Sequence, residues 1–85
     1  MIVRVWEARG HPEGFGELLD WVCDVAVPSV EVHPQHIGSE VYSSTDHRLM
    51  VVSKWRGSEP VTLADPPAHL VEFRPRWRDF ASVDR

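Results

Sequence analysis

Residues 37–55 read IGSEVYSSTDHRLMVVSKW, and they carry the clearest structural pattern of the chain. Two runs rich in β-forming residues, Ile37–Ser43 and Arg48–Trp55, are separated by the polar stretch Ser44–His47. Two such runs joined by a short polar link predict a β-hairpin.

The second strand of this hairpin has apolar side chains on both faces. Leu49, Val51 and Trp55 share one face, and Met50 and Val52 share the other. This pattern is typical of a central strand that is covered on both sides. We expect a helix of the same chain on one side and a second copy of the protein on the other.

The residues before the hairpin predict a strand and a helix. Ile2–Ala8 alternates in the manner of a strand, with Val3 and Val5 on one face. Phe15–Ala26 has the spacing of an amphipathic helix, and Pro28 is expected to break or kink it. The predicted apolar stripe of this helix consists of Phe15, Leu18, Leu19, Val22, Val25 and Ala26.

The residues after the hairpin complete the fold prediction. Val61–Phe73 has room for only a short helix, over Pro67–Phe73, and Arg76–Val83 is predicted as the last strand. The order β-α-β-β-(short α)-β is the split βαβ pattern of a ferredoxin-like α+β fold with a shortened second helix. The helices of this fold cover one face of the sheet, so dimerisation is the usual cover for the other when it is apolar.

The composition limits the classes of function. A chain of 85 residues, 42% apolar and 26% charged, is expected to form a single globular domain over residues 1–85. The formal charge of −4 argues against nucleic acid as the main partner. Cys23 is the single cysteine, which excludes an intramolecular disulfide and a multi-cysteine zinc site. No apolar run approaches ~18 residues, so we expect no membrane span and a cytoplasmic protein.

Three stretches of the sequence resemble the antibiotic biosynthesis monooxygenase family. The first strand reads IVRVWEAR (residues 2–9), the approach to the hairpin reads HPQHIGSEVY (residues 33–42), and its second strand ends in VVSKW (residues 51–55). In that family an hPGfxGxxvy motif enters the second strand and the third strand ends on a tryptophan, as at Trp55. The resemblance also includes a Gly-flanked amphipathic helix and extends over roughly residues 2–56.

The resemblance implies a dimeric α/β barrel, in which two four-stranded sheets pack together and a pocket lies between each sheet and its own helices. The wider superfamily includes cofactor-free monooxygenases that form quinones and enzymes that degrade haem. Haem-degrading relatives carry an Asn in the first strand and a His on a long second helix. This chain has Trp6 and Glu7 in the first strand and a Pro-rich segment in place of that helix. Haem degradation is therefore not expected, cofactor-free oxidation stays open with only Trp55 matching the family's motif, and we expect no cofactor.

Four residues are predicted to form the pocket. Trp55, Tyr42 and Trp6 are expected to bind an aromatic substrate by stacking and hydrogen bonding. His69 is expected to act as the catalytic base, because a histidine titrates near neutral pH. The alternatives are a core tryptophan, a solvated strand tyrosine and an exposed turn histidine.

The remaining candidates have simpler interpretations. His33 and His36 are three residues apart but lack a third ligand, so no metal site is predicted. The basic and aromatic run Arg74–Arg78 is more typical of a solvated strand edge or a salt-bridged dimer seam than of an anion site.

Two functions of different classes follow. The first is a homodimer that binds a small aromatic or polyketide-like molecule and oxidises it without metal or flavin. The second is a non-catalytic dimeric ligand-binding or accessory protein whose pocket is filled. The shortened second helix favours the second function, and the four tryptophans favour the first.

Overall fold

Four strands form one antiparallel sheet in the computed structural model, which describes residues 1–85. The sheet order is β2-β3-β1-β4. This order places the first strand in the centre and the last at an edge, which is the ferredoxin-like arrangement, so the predicted α+β fold is confirmed. The strands are β1 (Ile2–Arg9), β2 (His36–Ser43), β3 (Arg48–Trp55) and β4 (Arg76–Ala81).

The two faces of the sheet differ because side chains alternate along each strand. We call the side covered by the helix the closed face and the opposite side the open face. On β1 the buried side chains of Arg4, Trp6 and Ala8 belong to the closed face, while Val3 and Val5 lie on the open face. On β3 the closed face carries Leu49, Val51, Ser53 and Trp55. The alternation predicted for both strands is therefore confirmed.

The helical segment continues through Pro28. It consists of α1 (Phe15–Trp21), a wide π-helical turn (Val22–Ala26) and α2 (Val27–Glu31). The N–H of Val27 donates to the carbonyl of Val22, five residues earlier. A proline lacks an N–H and its ring crowds the preceding turn, and a π-helical turn is one of the ways in which a helix accommodates such a disruption. The helix is thus deformed before Pro28 and not ended by it.

The wide turn also changes which residues face the sheet. Val25 was predicted on the apolar stripe, but 54% of it is exposed. One extra residue in a turn rotates the residues that follow by about 100°. Ala26 is buried as predicted, and Val27 and Val30, which were not part of the predicted stripe, are buried as well.

The connecting segment, residues 56–75, is mostly irregular and contains no strand. The helix predicted over Pro67–Phe73 is reduced to a single 3-10 turn, Ala68–Leu70. The prolines limit helix formation there, because each removes a backbone donor. The segment is held to the end of β1, where Gly10 pairs with Val71 and the N–H of Glu72 donates to the carbonyl of Arg9 at 2.9 Å. The last strand ends at Ala81, two residues before the predicted Val83.

The hydrophobic core lies between the helical segment and the closed face. The connecting segment contributes Leu63, Leu70 and Val71 to it. Its largest fully buried side chains are Trp55, Leu18, Leu49, Val22 and Val51. No helix of the structure is both long and apolar enough to span a membrane.

Candidate functional site

The two tryptophans predicted to line a pocket are core residues in the structure. Trp55 is 0% exposed and Trp6 is 3% exposed. The indole N–H of Trp55 donates to the hydroxyl of Ser53 at 2.8 Å, and the rings of His33 and His36 stand edge-on to it. None of the four surface depressions is lined by either tryptophan. The layer between helix and sheet is therefore filled by side chains.

Tyr42 and His69 lie elsewhere on the surface. Tyr42 is on the open face and 50% exposed, and its hydroxyl donates to the carboxylate of Glu40. That hydrogen bond is the main reason why the pKa of Tyr42 is raised above its ordinary value. His69 is exposed in the 3-10 turn of the connecting segment. The structure thus distributes the predicted pocket residues over three places, and their ligand-binding and catalytic roles stay predictions.

An ion pair between the buried Arg4 and the more exposed Asp79 on the closed face was not singled out from the sequence. Arg4 is 6% exposed, and its Nε and one terminal nitrogen donate to the two carboxylate oxygens of Asp79 at 2.7 and 2.9 Å. Its other terminal nitrogen donates to the hydroxyl of Thr62 at 3.0 Å, and the guanidinium lies 3.9 Å from the ring centroid of Trp77. The hydrogen bonds from Arg4 are the main reason why the pKa of Asp79 is lowered.

This cluster joins three parts of the chain. It attaches β4 and the connecting segment to the central strand β1, and no buried side-chain nitrogen or oxygen in the structure lacks a hydrogen-bond partner. The only sign of this ion pair in the sequence is that Arg4 lies on the same face of β1 as Trp6. The partner is 75 residues away, so no local pattern could identify it.

The open face carries an apolar patch between opposite charges. We define the patch as Val3, Val5, Val52 and Phe80. Val5 pairs with Val52 on β3 and with Arg78 on β4, and Val52 pairs with Glu40 on β2. One row across the sheet therefore runs from an acidic residue through two valines to a basic residue. Half of Phe80 (50%) is exposed, and the three valines of the patch are half-buried.

A small cleft with mixed charge lies beyond this patch, at the end of the sheet where β1 ends and β3 begins. We call it the Glu7 cleft. Its volume is about 180 Å³, and its lining consists of Glu7, Ala8, Arg9, Arg48, Phe73 and Arg76. Glu7 also lines two neighbouring depressions, of about 260 and 600 Å³, so it borders the cleft and both depressions.

Only two of the four charged residues that line the Glu7 cleft form ion pairs. Arg9 forms an ion pair with Glu72 at 3.6 Å, and Arg48 forms one with Asp46 at 3.0 Å. Glu7 and Arg76 lie opposite each other on neighbouring strands, yet neither takes part in any of the ion pairs. One free carboxylate and one free guanidinium therefore face the same small space.

The comparisons with known proteins support the fold. No family model matches the chain, and no curated protein matches it. The solved structure of Rv0793 from Mycobacterium tuberculosis superposes with a TM-score of 0.72, over 99% of this chain and 96% of that one. The two sequences are 12% identical, so the likeness concerns the ferredoxin-like fold alone.

Proposed function

We propose that this chain is a non-catalytic, dimeric ligand-binding or accessory protein of the antibiotic biosynthesis monooxygenase type. The observation that carries the proposal is the filled closed face, where Trp55 and Trp6 occupy the layer in which the resembling family keeps its pocket. Binding then falls to the open face, which has both an apolar patch and clefts. A reducing cytoplasm suits the single, exposed Cys23.

A second copy of the chain is the proposed cover for the apolar patch. Two sheets can pack face to face about a two-fold axis that runs parallel to the strands, and β2 of each copy then lies over β4 of the other. At the level of the two valines, Glu40 of one copy would oppose Arg78 of the other. An axis perpendicular to the strands would bring Arg78 against Arg78. The charge pattern of this face is thus self-complementary in one orientation, as a two-fold interface requires.

The dimer is tested by light scattering over a range of micromolar concentrations. We expect a dimer for the wild type, weaker dimers for Glu40→Arg and for Arg78→Glu, and recovery in the double variant that exchanges both charges. Glu59→Arg is the matched control, because Glu59 is exposed in the connecting segment away from the sheet. A wild-type monomer throughout, or single variants that dimerise like the wild type, would contradict the proposed interface.

Cofactor-free oxidation of a small aromatic molecule is the second candidate function. The exposed His69 favours it, since an accessible imidazole can act as a general base. Stacking of a substrate on Trp55 or Trp6 would require the helical segment to move away from the sheet, while Tyr42 is accessible without such a movement.

Oxygen uptake with a panel of phenols and hydroquinones separates the two candidates. We expect no uptake above background. Uptake that His69→Ala abolishes, together with a change of tryptophan emission on substrate addition, would overturn the non-catalytic proposal and support the oxygenase.

A further inference from the structure

We propose that the Glu7 cleft binds a small amphoteric molecule of the α-amino acid class, whose carboxylate is held by the arginines and whose ammonium group is held by Glu7. This rests on the proposed function only in treating the chain as a binding protein. The site is complete in one protomer, because all six lining residues belong to one chain.

The arginines provide the site for the carboxylate. Arg9 and Arg48 are directly opposite each other on β1 and β3, and Arg76 comes from the strand on the other side of β1. Like charges at directly opposed positions destabilise a sheet. The acids that pair with Arg9 and Arg48 lie outside the cleft lining, so the guanidinium groups remain the cationic part of its wall. Planar guanidinium groups bind carboxylates through paired hydrogen bonds.

Glu7 distinguishes ligands that carry both charges from ligands that carry only a carboxylate. Its half-buried carboxylate is a free acceptor between Met50 on β3 and Arg76 on β4. A ligand that carries only a negative charge would be repelled by Glu7, and one that carries only a positive charge would be repelled by the arginines. A ligand with both charges satisfies the free carboxylate and the free guanidinium together.

The dimensions of the cleft limit the size of the ligand. Its volume of about 180 Å³ is below the ~300–1,000 Å³ of sites for drug-sized ligands. Phe73 is 52% exposed and presents an aromatic ring to the same space. An amino acid with an aromatic or apolar side chain can therefore place that side chain against Phe73 while its charged groups reach the polar wall.

The test is a titration of the full chain with three ligands, followed by calorimetry or by NMR chemical shifts. L-phenylalanine carries both charges, 3-phenylpropionate lacks the amine, and 2-phenylethylamine lacks the carboxylate. We expect L-phenylalanine to bind about tenfold or more tightly than either analogue, because each analogue leaves one charged group of the cleft unpaired.

Two isosteric variants assign the charges. We expect Glu7→Gln to weaken L-phenylalanine to the level of 3-phenylpropionate without weakening 3-phenylpropionate itself, and Arg76→Gln to weaken both carboxylates. Arg56→Gln and Glu59→Gln are the matched controls, because both residues are exposed and lie outside the cleft. Circular dichroism of each variant checks that the fold is retained.

The result that overturns the inference is absence of millimolar binding, equal affinity for the three ligands, or a stronger preference for 3-phenylpropionate than for L-phenylalanine. Light scattering on the same samples keeps this inference distinct from the proposed dimer. A monomer that binds L-phenylalanine would refute the dimer alone, and a dimer that binds none of the ligands would refute the amino acid site alone.

Discussion

The two faces of the sheet are built from the same strands, yet their exposure differs sharply. On the closed face Trp55 and Val51 are 0% and 1% exposed. Val5 on β1 and Val52 on β3 point to the open face, and both are only half-buried. The alternation of a strand supplies both faces at once, but this chain has helices enough to cover only one.

The difference indicates where binding can occur. The closed face is packed with side chains that cannot be removed without a cavity, while the open face has an uncovered apolar patch and a charged cleft. In our proposal, this chain binds its ligand on the open face and not under the helical segment. The following predictions are ordered by the size of the expected effect.

Trp55→Ala is the strongest test of the closed face. Loss of a fully buried tryptophan should lower the free energy of unfolding by about 3–5 kcal/mol, because a cavity remains in a close-packed layer. Trp77→Ala is the comparison at the edge of the same face, since Trp77 lies opposite Trp6 on an edge strand and is 49% exposed. Urea unfolding of both variants measures the difference, and equal losses would mean that the centre of the closed face is packed no more tightly than its edge.

Val52→Asp is the corresponding test of the open face. It should leave the chain folded but raise the dimer dissociation constant about 100-fold, because a charge replaces an apolar side chain at the centre of the proposed interface. Light scattering at several concentrations measures this change, with Ser58→Asp in the connecting segment as the control. A dimer of unchanged affinity would move the interface away from the open face.

Asp79→Ala tests how firmly β4 is attached to the rest of the sheet. It leaves the buried guanidinium of Arg4 without its main partner, and we expect a loss of about 2 kcal/mol in the free energy of unfolding. Asp65→Ala, which removes an exposed ion pair with Arg74, should change the free energy of unfolding by less than ~1 kcal/mol. Comparable losses would show that solvent screens both pairs equally.

The pH dependence of stability should depend on the same pair. The pKa of Asp79 is lower in the folded chain than in the unfolded chain, because Arg4 donates hydrogen bonds to its ionised form. The unfolded chain therefore binds more protons, and the contribution of Asp79 is complete above the ordinary aspartate pKa of about 3.9 and is lost as the pH falls through the folded pKa. Urea midpoints of wild type and Asp79→Asn should converge as the pH is lowered; parallel curves would contradict this.

Glu40→Ala should have the smallest effect on the stability of the folded protomer, because Glu40 is exposed. Its effect on the proposed dimer is a separate one, measured with Glu40→Arg. Glu40→Ala removes the carboxylate that accepts the hydrogen bond of Tyr42, so the pKa of that phenol should return toward its ordinary value. Ultraviolet titration of the single tyrosine follows this directly. An unchanged pKa would mean that the hydrogen bond does not persist in solution.

Local patterns predicted much of this fold. The hairpin of residues 37–55, the face alternation of β1 and β3 and the element order all follow from spacing within a few residues. The phase of the helix after Val22 could not be predicted in this way, because a single wide turn moves Val25 outward and places Val27 and Val30 among the buried residues. The path of the connecting segment was also missed, because prolines exclude a helix there without specifying what replaces it.

The sequence by itself determined the strands, the helix and the ferredoxin-like order, because alternation and helical spacing are properties of neighbouring residues. Only the tertiary structure decided that Trp55 and Trp6 fill the core and do not line a pocket, since burial depends on how closely the helical segment packs against the sheet. It also decided the pairing of Arg4 with Asp79 and the meeting of Glu7 with three arginines. Apart from Arg9, which lies on the same strand as Glu7, these partners are far apart in the chain, and sheet pairing brings them together.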